Sequence, residues 1–169
     1  MWFGWVSDSI DPIGYVMQEC VYSFYVKTGT RISAGTNSVI GVTLWDSNGD
    51  SVTIDDIETW GGLMGSGHDY FERGSIDIFS GLATCTGSGT ICALNLTSDG
   101  TGTHPGWYVN YVQANITGVS LGCDNQVFEI GQWVAADAYP YQLYAFRNEC
   151  DSSSLAAHRI SLRRSHLPL

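Results

Sequence analysis

Apolar and polar residues alternate with a period of two in several stretches of this chain, as they do in β-strands with one buried face. In residues 38–45, for example, Ile40, Val42 and Leu44 share one face, and glycine or threonine separates them. No stretch has a convincing period of 3.6 residues, so the pattern does not predict a long helix. The predicted strands are residues 20–30 (with a turn at their end), 38–45, 51–58, 75–80, 91–98, 107–117, 126–130 and 141–148.

About eight short strands separated by turn signals favour an antiparallel β-sandwich or a β-barrel. The chain has 169 residues, which fits one domain with a sizeable core. We expect an irregular lead-in over residues 1–19, the sandwich domain over residues 20–150, and a basic tail, mobile or in a short helix, over residues 151–169.

The stretch from residue 60 to residue 77 combines a high density of glycine with large apolar side chains. Because ordering each glycine costs backbone entropy, we expect a loop here. Leu63 and Met64 are candidates for an exposed lipid or partner contact, and Trp60 is a candidate for both the contact and the core. The alternative is that the loop folds these side chains back onto the protein. Burial in a bilayer would contribute roughly 1.5–3 kcal/mol per side chain, so attachment would also need calcium, avidity or a partner.

The charge of the chain is strongly negative, with a formal net charge of −10 at pH 7. An acidic protein repels the phosphates of nucleic acids, so we expect no nucleic-acid partner. It would also be repelled by anionic lipid headgroups unless a cation bridges the two surfaces. We expect a monomer.

Five cysteines and two N-glycosylation sequons, at Asn95 and Asn115, favour the secretory pathway, either the endoplasmic reticulum or the outside of the cell. No pair of cysteines has the C-x-x-C spacing of a zinc site. The N-terminal residues 1–6 are apolar, but no basic residue precedes Lys27, which does not match a signal peptide. Either a leader is missing from this chain, or the protein is cytosolic with free thiols.

The cysteine positions suggest two disulfides. If the first and last strands pair antiparallel, Cys20 at the start of one faces Cys150 at the end of the other. Cys85 and Cys92 flank the tip of a loop and would close it. Cys123 is left over and could replace either partner of the first pair.

Five segments of the chain carry a family pattern: CVYSFYVKTGT, AGTNSVIGVTLWD, WGGLMGSGHDYFERGSIDIFSG, ICALNLTSDGTGTHPGWYVNYV and YQLYAFRNEC. Together they resemble the PLAT (lipoxygenase-homology) domain, in particular the stand-alone PLAT proteins of plants. They occur in the family's order over residues 20–150, and the FERG–D–F and SDGTG–GW–NYV elements are the most specific. The resemblance implies two four-stranded antiparallel sheets packed face to face, and a non-catalytic role toward membranes, lipids or protein partners. Stand-alone plant members are associated with stress responses and the endoplasmic reticulum.

The resemblance also implies a possible cofactor, calcium, which binds six to eight oxygen atoms. Calcium ligands in the family come from a Gly-Thr-Asp loop and from the loop before FERG. Asn37 stands here in place of the usual acid, and Tyr70 stands where an acid often occurs, so we expect reduced affinity for calcium. The alternative is that Asn37 and Asp69 only cap turns through side-chain to backbone hydrogen bonds. The matching positions are Gly35, Thr36, Asn37, Asp69 and Glu72.

No enzyme motif is present: the chain contains neither G-x-S-x-G nor H-E-x-x-H, and its four histidines are scattered. Three non-catalytic functions therefore compete. The first is a calcium-modulated lipid or membrane-surface module, and the second is a protein-interaction module of stress signalling without lipid or calcium. The third, a carbohydrate-binding sandwich, shares the architecture, but the sequence places no set of exposed aromatic side chains for it.

Overall fold

Two antiparallel sheets of four strands each form the body of the protein. The computed structural model describes residues 18–87, 89–119 and 122–150. Its elements are β1 (Glu19–Thr28), β2 (Ile40–Asp46), β3 (Ser51–Ile54), α1 (Ile57–Gly61), β4 (Ile76–Thr84), β5 (Ile91–Ser98), β6 (Trp107–Thr117), β7 (Cys123–Val134) and β8 (Tyr144–Asn148).

The strand order is β4-β1-β6-β7 in one sheet and β3-β2-β5-β8 in the other. The prediction of an all-β sandwich with two four-stranded sheets is therefore confirmed. Side chains that alternate along the strands meet between the sheets, where Phe24, Leu44 and Trp107 are fully buried. The indole N–H of Trp107 donates to the Thr28 hydroxyl at 2.9 Å, so its one polar group is satisfied in the core.

The antiparallel order places four connections at the same end of the sandwich, which we call the loop end. These are residues 29–39, 55–75, 99–106 and 135–143, because β1, β3, β5 and β7 all finish there. Both disulfides lie at the opposite end, where β1 and β5 begin. One end is thus covalently fastened, and the other carries the long loops.

The predicted disulfide pairing is wrong. Cys20 bonds Cys85 and Cys92 bonds Cys150, with Cα–Cα distances of 4.9 and 4.7 Å. The physical reason is that β1 and β8 belong to different sheets, so they cannot pair as assumed. Instead β1 pairs with β4 and β5 with β8, which brings the observed partners together. Among the described residues, Cys123 is the free cysteine, and it is exposed.

Several element boundaries also differ from the prediction. The strand predicted over 51–58 ends at Ile54, because Asp56 starts α1 by accepting from the backbone N–H groups of Glu58 and Thr59, both at 3.1 Å. β4 continues into the predicted loop as far as Thr84, and β7 begins at Cys123 and runs to Val134. Pairing with β1 and β6 extends these two strands beyond what their own sequences indicate.

The predicted tail, residues 151–169, and most of the predicted lead-in, residues 1–19, lie outside the described residues. Among the residues that are described, no helix has the length and apolar character needed to span a bilayer.

Candidate functional site at the loop end

The loops 29–39 and 99–106 are fastened to each other by a group of hydrogen bonds. The backbone N–H of Asn37 and the hydroxyl of Thr36 both donate to the His104 carbonyl, at 3.1 and 2.9 Å. The hydroxyl of Ser38 donates to the Thr101 carbonyl at 2.7 Å. These bonds hold the Gly-Thr-Asn segment in one position at the loop end.

Asp99 closes the turn that begins loop 99–106. Its carboxylate accepts from the backbone N–H groups of Val39 and Thr101, each at 3.0 Å. The hydrogen bond from the Thr101 backbone is the main cause that lowers the pKa of Asp99 from its ordinary value of 3.8. Asp99 therefore acts as a turn-forming residue at this position.

The loop before FERG packs directly on the Gly-Thr-Asn segment. The Thr36 backbone N–H donates to the Phe71 carbonyl at 3.3 Å. A Cβ atom on Gly35 would lie 3.1 Å from both the Phe71 carbonyl oxygen and the Arg73 backbone nitrogen, so any other residue would push the two segments apart by a few tenths of an ångström. The Arg73 Nε donates to the Thr30 carbonyl at 2.8 Å. The two segments predicted to share a site are thus in contact through their backbones.

Asp77 organises the FERG turn, and sequence reasoning missed this role. Its carboxylate, with no solvent exposure, accepts from the Phe71 backbone N–H at 2.8 Å and from the Ser75 hydroxyl at 2.6 Å. The His68 Nε2 lies 2.7 Å from its other oxygen. Phe71 has a left-handed backbone (φ 60°), and its ring stacks on Phe79 in the core. The sequence signal for this role was a serine and an aspartate two residues apart directly after FERG.

The five predicted metal ligands do not form a complete calcium cage. The Thr36 hydroxyl already donates to one backbone group and accepts from another. The side-chain oxygen of Asn37 accepts from the Thr103 hydroxyl at 3.1 Å, so it is directed toward loop 99–106. Asp69 and Glu72 are exposed, and their carboxylates have no hydrogen bond to any described residue. No group of three or more acidic, histidine or cysteine side chains in the described chain is arranged to hold a metal.

A negative field exists beside Asp69. Burial raises the pKa of Glu58, and the nearby charges of Asp56, Asp69 and Asp77 raise it further. A bound cation would relieve this repulsion. The residues present therefore fit calcium in part, because Asp69 lies near other acidic groups but no three such groups of the described residues are arranged to hold the ion.

The three large apolar side chains Trp60, Leu63 and Met64 separate into a packed residue and an exposed pair, as the sequence suggested. Leu63 and Met64 are 59% and 38% exposed. Trp60 lies in α1 and packs against the sandwich, with its ring edge-on to Phe24 at 6.1 Å. A Cβ on Gly81 would come within 2.8 Å of the Trp60 ring, which covers this glycine closely. The exposed part of this segment is therefore Leu63 and Met64, without Trp60.

Three further side chains at the loop end are strongly exposed, and the sequence analysis did not single them out. They are Ile32 in loop 29–39, and Tyr139 and Tyr141 in loop 135–143. Single apolar side chains in loops belong to no periodic pattern in the sequence. Only the fold therefore shows that these three lie at the same end as Leu63.

Both sequon asparagines lie within strands. Asn95 points away from the core as predicted, opposite Thr43 and Phe146 of the neighbouring strands, but its side-chain oxygen is buried without a hydrogen-bond partner. Asn115 is half-buried in β6 and accepts from the Asn125 amide.

Comparison with known proteins agrees with this architecture. The model of the PLAT/LH2 domain family matches residues 22–147. PLAT domain-containing protein 2 of Arabidopsis thaliana is 51% identical over 135 residues, which cover 80% of this chain and 73% of that protein. PLAT domain-containing protein 1 of the same plant is 54% identical, covering 78% of this chain and 72% of that protein. The chain belongs to the PLAT/LH2 domain family.

A solved structure shows the same fold at low sequence identity. The coral 8R-lipoxygenase, described as having calcium activation via a C2-like domain, matches with a TM-score of 0.52 and 24% identity. The match covers 76% of this chain and 16% of that enzyme, so the likeness concerns a module of a much larger protein.

Proposed function

We propose that this protein is a non-catalytic binding module that docks its loop end onto a lipid surface, with calcium strengthening the contact. The observation that carries the proposal is the exposed pair Leu63 and Met64, in the same loop as the exposed carboxylates of Asp69 and Glu72. An apolar pair beside acidic groups suits a surface that takes up apolar side chains and, through a bridging cation, contacts phosphates.

The backbone holds the exposed pair in place. The Leu63 N–H donates to the Ile78 carbonyl of β4 at 3.0 Å, and the Met64 N–H donates to the Tyr70 hydroxyl at 2.9 Å. Little conformational entropy would therefore be lost when these side chains enter a bilayer. Each would contribute roughly 1.5–3 kcal/mol, so two residues alone give weak attachment. Ile32 at the loop end offers additional contact.

Calcium has a physical role in this proposal because the protein is acidic, with a net charge of −10. Asp69 and Glu72 would hold the ion, and the side-chain oxygen of Asn37 could join them if it left Thr103. The ion would supply positive charge between two negative surfaces. The coral 8R-lipoxygenase, whose fold is similar, is described as calcium-activated through such a domain.

The remaining parts of the proposal follow from the family and the cysteines. We place the protein in the secretory pathway, either the endoplasmic reticulum or the extracellular space, as a monomer that takes part in plant stress responses. Two disulfides and two sequons support an oxidising compartment. Treatment with an N-glycosidase followed by intact mass measurement tests Asn95 and Asn115 as glycosylation sites. An unchanged mass of protein from a plant host contradicts that part.

Co-sedimentation of the full chain with liposomes, in calcium and in chelator, tests the function. We expect binding in calcium to vesicles with anionic lipid, and weaker binding in chelator. Absence of binding in both conditions overturns the lipid proposal.

The same exposed pair could instead contact a protein partner without lipid or calcium. A pull-down from plant extract that compares the wild-type chain with the double variant Leu63→Ser, Met64→Ser distinguishes this alternative. Loss of the same proteins in the variant, together with no vesicle binding, favours the interaction module. If the double variant retains the full set of proteins, Leu63 and Met64 do not form a protein contact.

A further inference from the structure

A concave surface lies at the loop end, formed by three loops and the end of β7. Its volume is about 250 Å³, and its walls include Ser33, Thr103, His104, Trp133 and Asp137. It is separate from the Leu63–Met64 contact, because none of its lining residues belongs to loop 55–75. We call it the Trp133 cleft.

The aromatic wall of the cleft is rigidly supported. The Trp133 ring contacts Tyr108 edge-on at a centroid distance of 5.4 Å. The guanidinium of Arg31 lies 4.3 Å from the centre of the Tyr108 ring, and the Tyr108 hydroxyl donates to the Gly131 carbonyl at 2.9 Å. Because its neighbours are fixed, the indole forms a preorganised apolar platform.

The floor of the cleft depends on a glycine. A Cβ on Gly106 would lie 3.3 Å from the Ala135 Cβ, 3.7 Å from an Asp137 carboxylate oxygen and 4.0 Å from the Trp133 ring. Any side chain at this position would therefore fill the space between the platform and the carboxylate. The backbone of Ser33 at the rim is left-handed, with φ of 59°, a conformation that costs energy for a residue other than glycine.

The rim of the cleft offers two hydroxyls, an imidazole and a carboxylate for hydrogen bonding, and none of the lining residues is lysine or arginine. A phosphate or sulfate would find no lysine or arginine in the lining, because the guanidinium of Arg31 is held over the Tyr108 ring. A quaternary ammonium would suit Trp133 and Asp137, but it has no N–H or O–H to offer the hydroxyls of Ser33 and Thr103. A neutral ligand rich in hydroxyl groups suits this set, because one apolar face stacks on the indole and its hydroxyls bond the Asp137 carboxylate and the Ser33 hydroxyl. Its hydroxyls can also bond the Nε2 of His104 and donate to the Thr103 hydroxyl, whose own proton goes to Asn37.

We propose that the Trp133 cleft binds a neutral sugar unit. The strand register brings the platform and the polar rim together, since Trp133 pairs with Tyr108 directly before β7 runs into loop 135–143. Exposed Tyr139 and Tyr141 in that loop extend the aromatic surface for a neighbouring sugar unit of a glycan. The site is a further function, and it does not depend on lipid or calcium binding by Leu63, Met64 and Asp69.

Nuclear magnetic resonance of the ¹⁵N-labelled full chain tests this assignment. The methyl glycosides of glucose, galactose, mannose and N-acetylglucosamine are titrated, with tetramethylammonium and inorganic phosphate as separate arms. We expect at least one glycoside to shift the Trp133 indole N–H and Gly106 amide signals saturably. The variant Asp137→Asn should weaken that binding about tenfold or more, as expected for loss of a charged hydrogen-bond acceptor. The matched variant Asp55→Asn, an exposed acid outside the cleft, should bind as the wild type does.

The proposal is overturned if no glycoside moves these two signals at about 100 mM, far above millimolar dissociation constants. It is also overturned if tetramethylammonium or phosphate alone moves them, or if Asp137→Asn binds as well as the wild type. The variant Gly106→Ala provides a second check, because its added methyl group occupies the floor of the cleft. It should abolish the shift of the indole signal, while the other signals keep the dispersion of a folded protein.

Discussion

The buried carboxylate of Asp77 accepts a hydrogen bond from the backbone N–H of Phe71 at 2.8 Å, and this bond fixes the loop that carries the exposed contact. Phe71 needs such support because its backbone is left-handed while its ring is fully inserted in the core. The same carboxylate accepts from the Ser75 hydroxyl at 2.6 Å. The FERG turn is therefore held by an acceptor at the start of β4, the strand that follows it.

The variant Asp77→Ala should lose about 3 kcal/mol of unfolding free energy, because it leaves the buried Phe71 N–H and the Ser75 hydroxyl without an acceptor. Urea-induced unfolding at pH 7 measures the difference. The control is Asp55→Ala, which removes an exposed carboxylate and should change stability by less than about 0.5 kcal/mol. Equal stability of the two variants would contradict the role assigned to Asp77.

Each disulfide should contribute about 4 kcal/mol through loop closure, since the sequence separations are 65 and 58 residues. Mass spectrometry of a non-reduced digest should find Cys20 linked to Cys85 and Cys92 linked to Cys150, with Cys123 open to alkylation. The variant Cys123→Ser should keep both links and the full stability. A peptide linking Cys20 to Cys150 would refute this arrangement.

Acid should release the turn at loop 99–106. Because the pKa of Asp99 is lower in the folded protein than its ordinary value of 3.8, its contribution to stability is fully present above pH 3.8 and is lost as the pH falls through the lower folded value. The variant Asp99→Asn should therefore show less loss of stability with acid below pH 3.8 than the wild type. Thermal unfolding from pH 7 to pH 2.5 tests this, and identical profiles would exclude a role for the Asp99 charge.

Calcium should stabilise the folded chain if the loop before FERG holds it. At a free concentration one hundred times the dissociation constant, a ligand that binds only the folded state adds about 2.7 kcal/mol. We expect a higher melting temperature in calcium than in chelator, and a smaller difference for Asp69→Asn. Magnesium at the same concentration is the control for general charge screening. A melting temperature that is independent of calcium would remove the ion from the proposal.

Much of the fold was predictable because burial of one face imposes alternation along each strand. Every predicted strand corresponds to an observed one, and Ile40, Val42 and Leu44 are buried as the pattern required. The short helix α1 was not predictable from periodicity, since five residues make little more than one turn. Its one local signal is Asp56, an N-cap residue within a stretch that otherwise reads as strand.

The strand order and the site were harder to predict. Periodicity places a residue on a face, but it does not say which strands are neighbours, and this is why the predicted pairs Cys20–Cys150 and Cys85–Cys92 were wrong. That the segment of Gly35 and Asn37 lies close to the FERG segment followed from the family motifs, whereas the direction of the Asn37 side chain toward Thr103 depends on tertiary hydrogen bonds. The Trp133 cleft joins three loops distant in sequence, so no local pattern indicates it.

The central claim, that the loop end contacts lipid through Leu63 and Met64, is tested most directly by liposome co-sedimentation of two double variants. The first is Leu63→Ser with Met64→Ser. The second is Val21→Ser with Leu82→Ser, which removes side chains of similar exposure, 43% and 58%, from the outer face of the β4-β1-β6-β7 sheet. In calcium, we predict that the first variant loses most of its vesicle binding and that the second binds as the wild type does. Equal binding by both variants would contradict the claim.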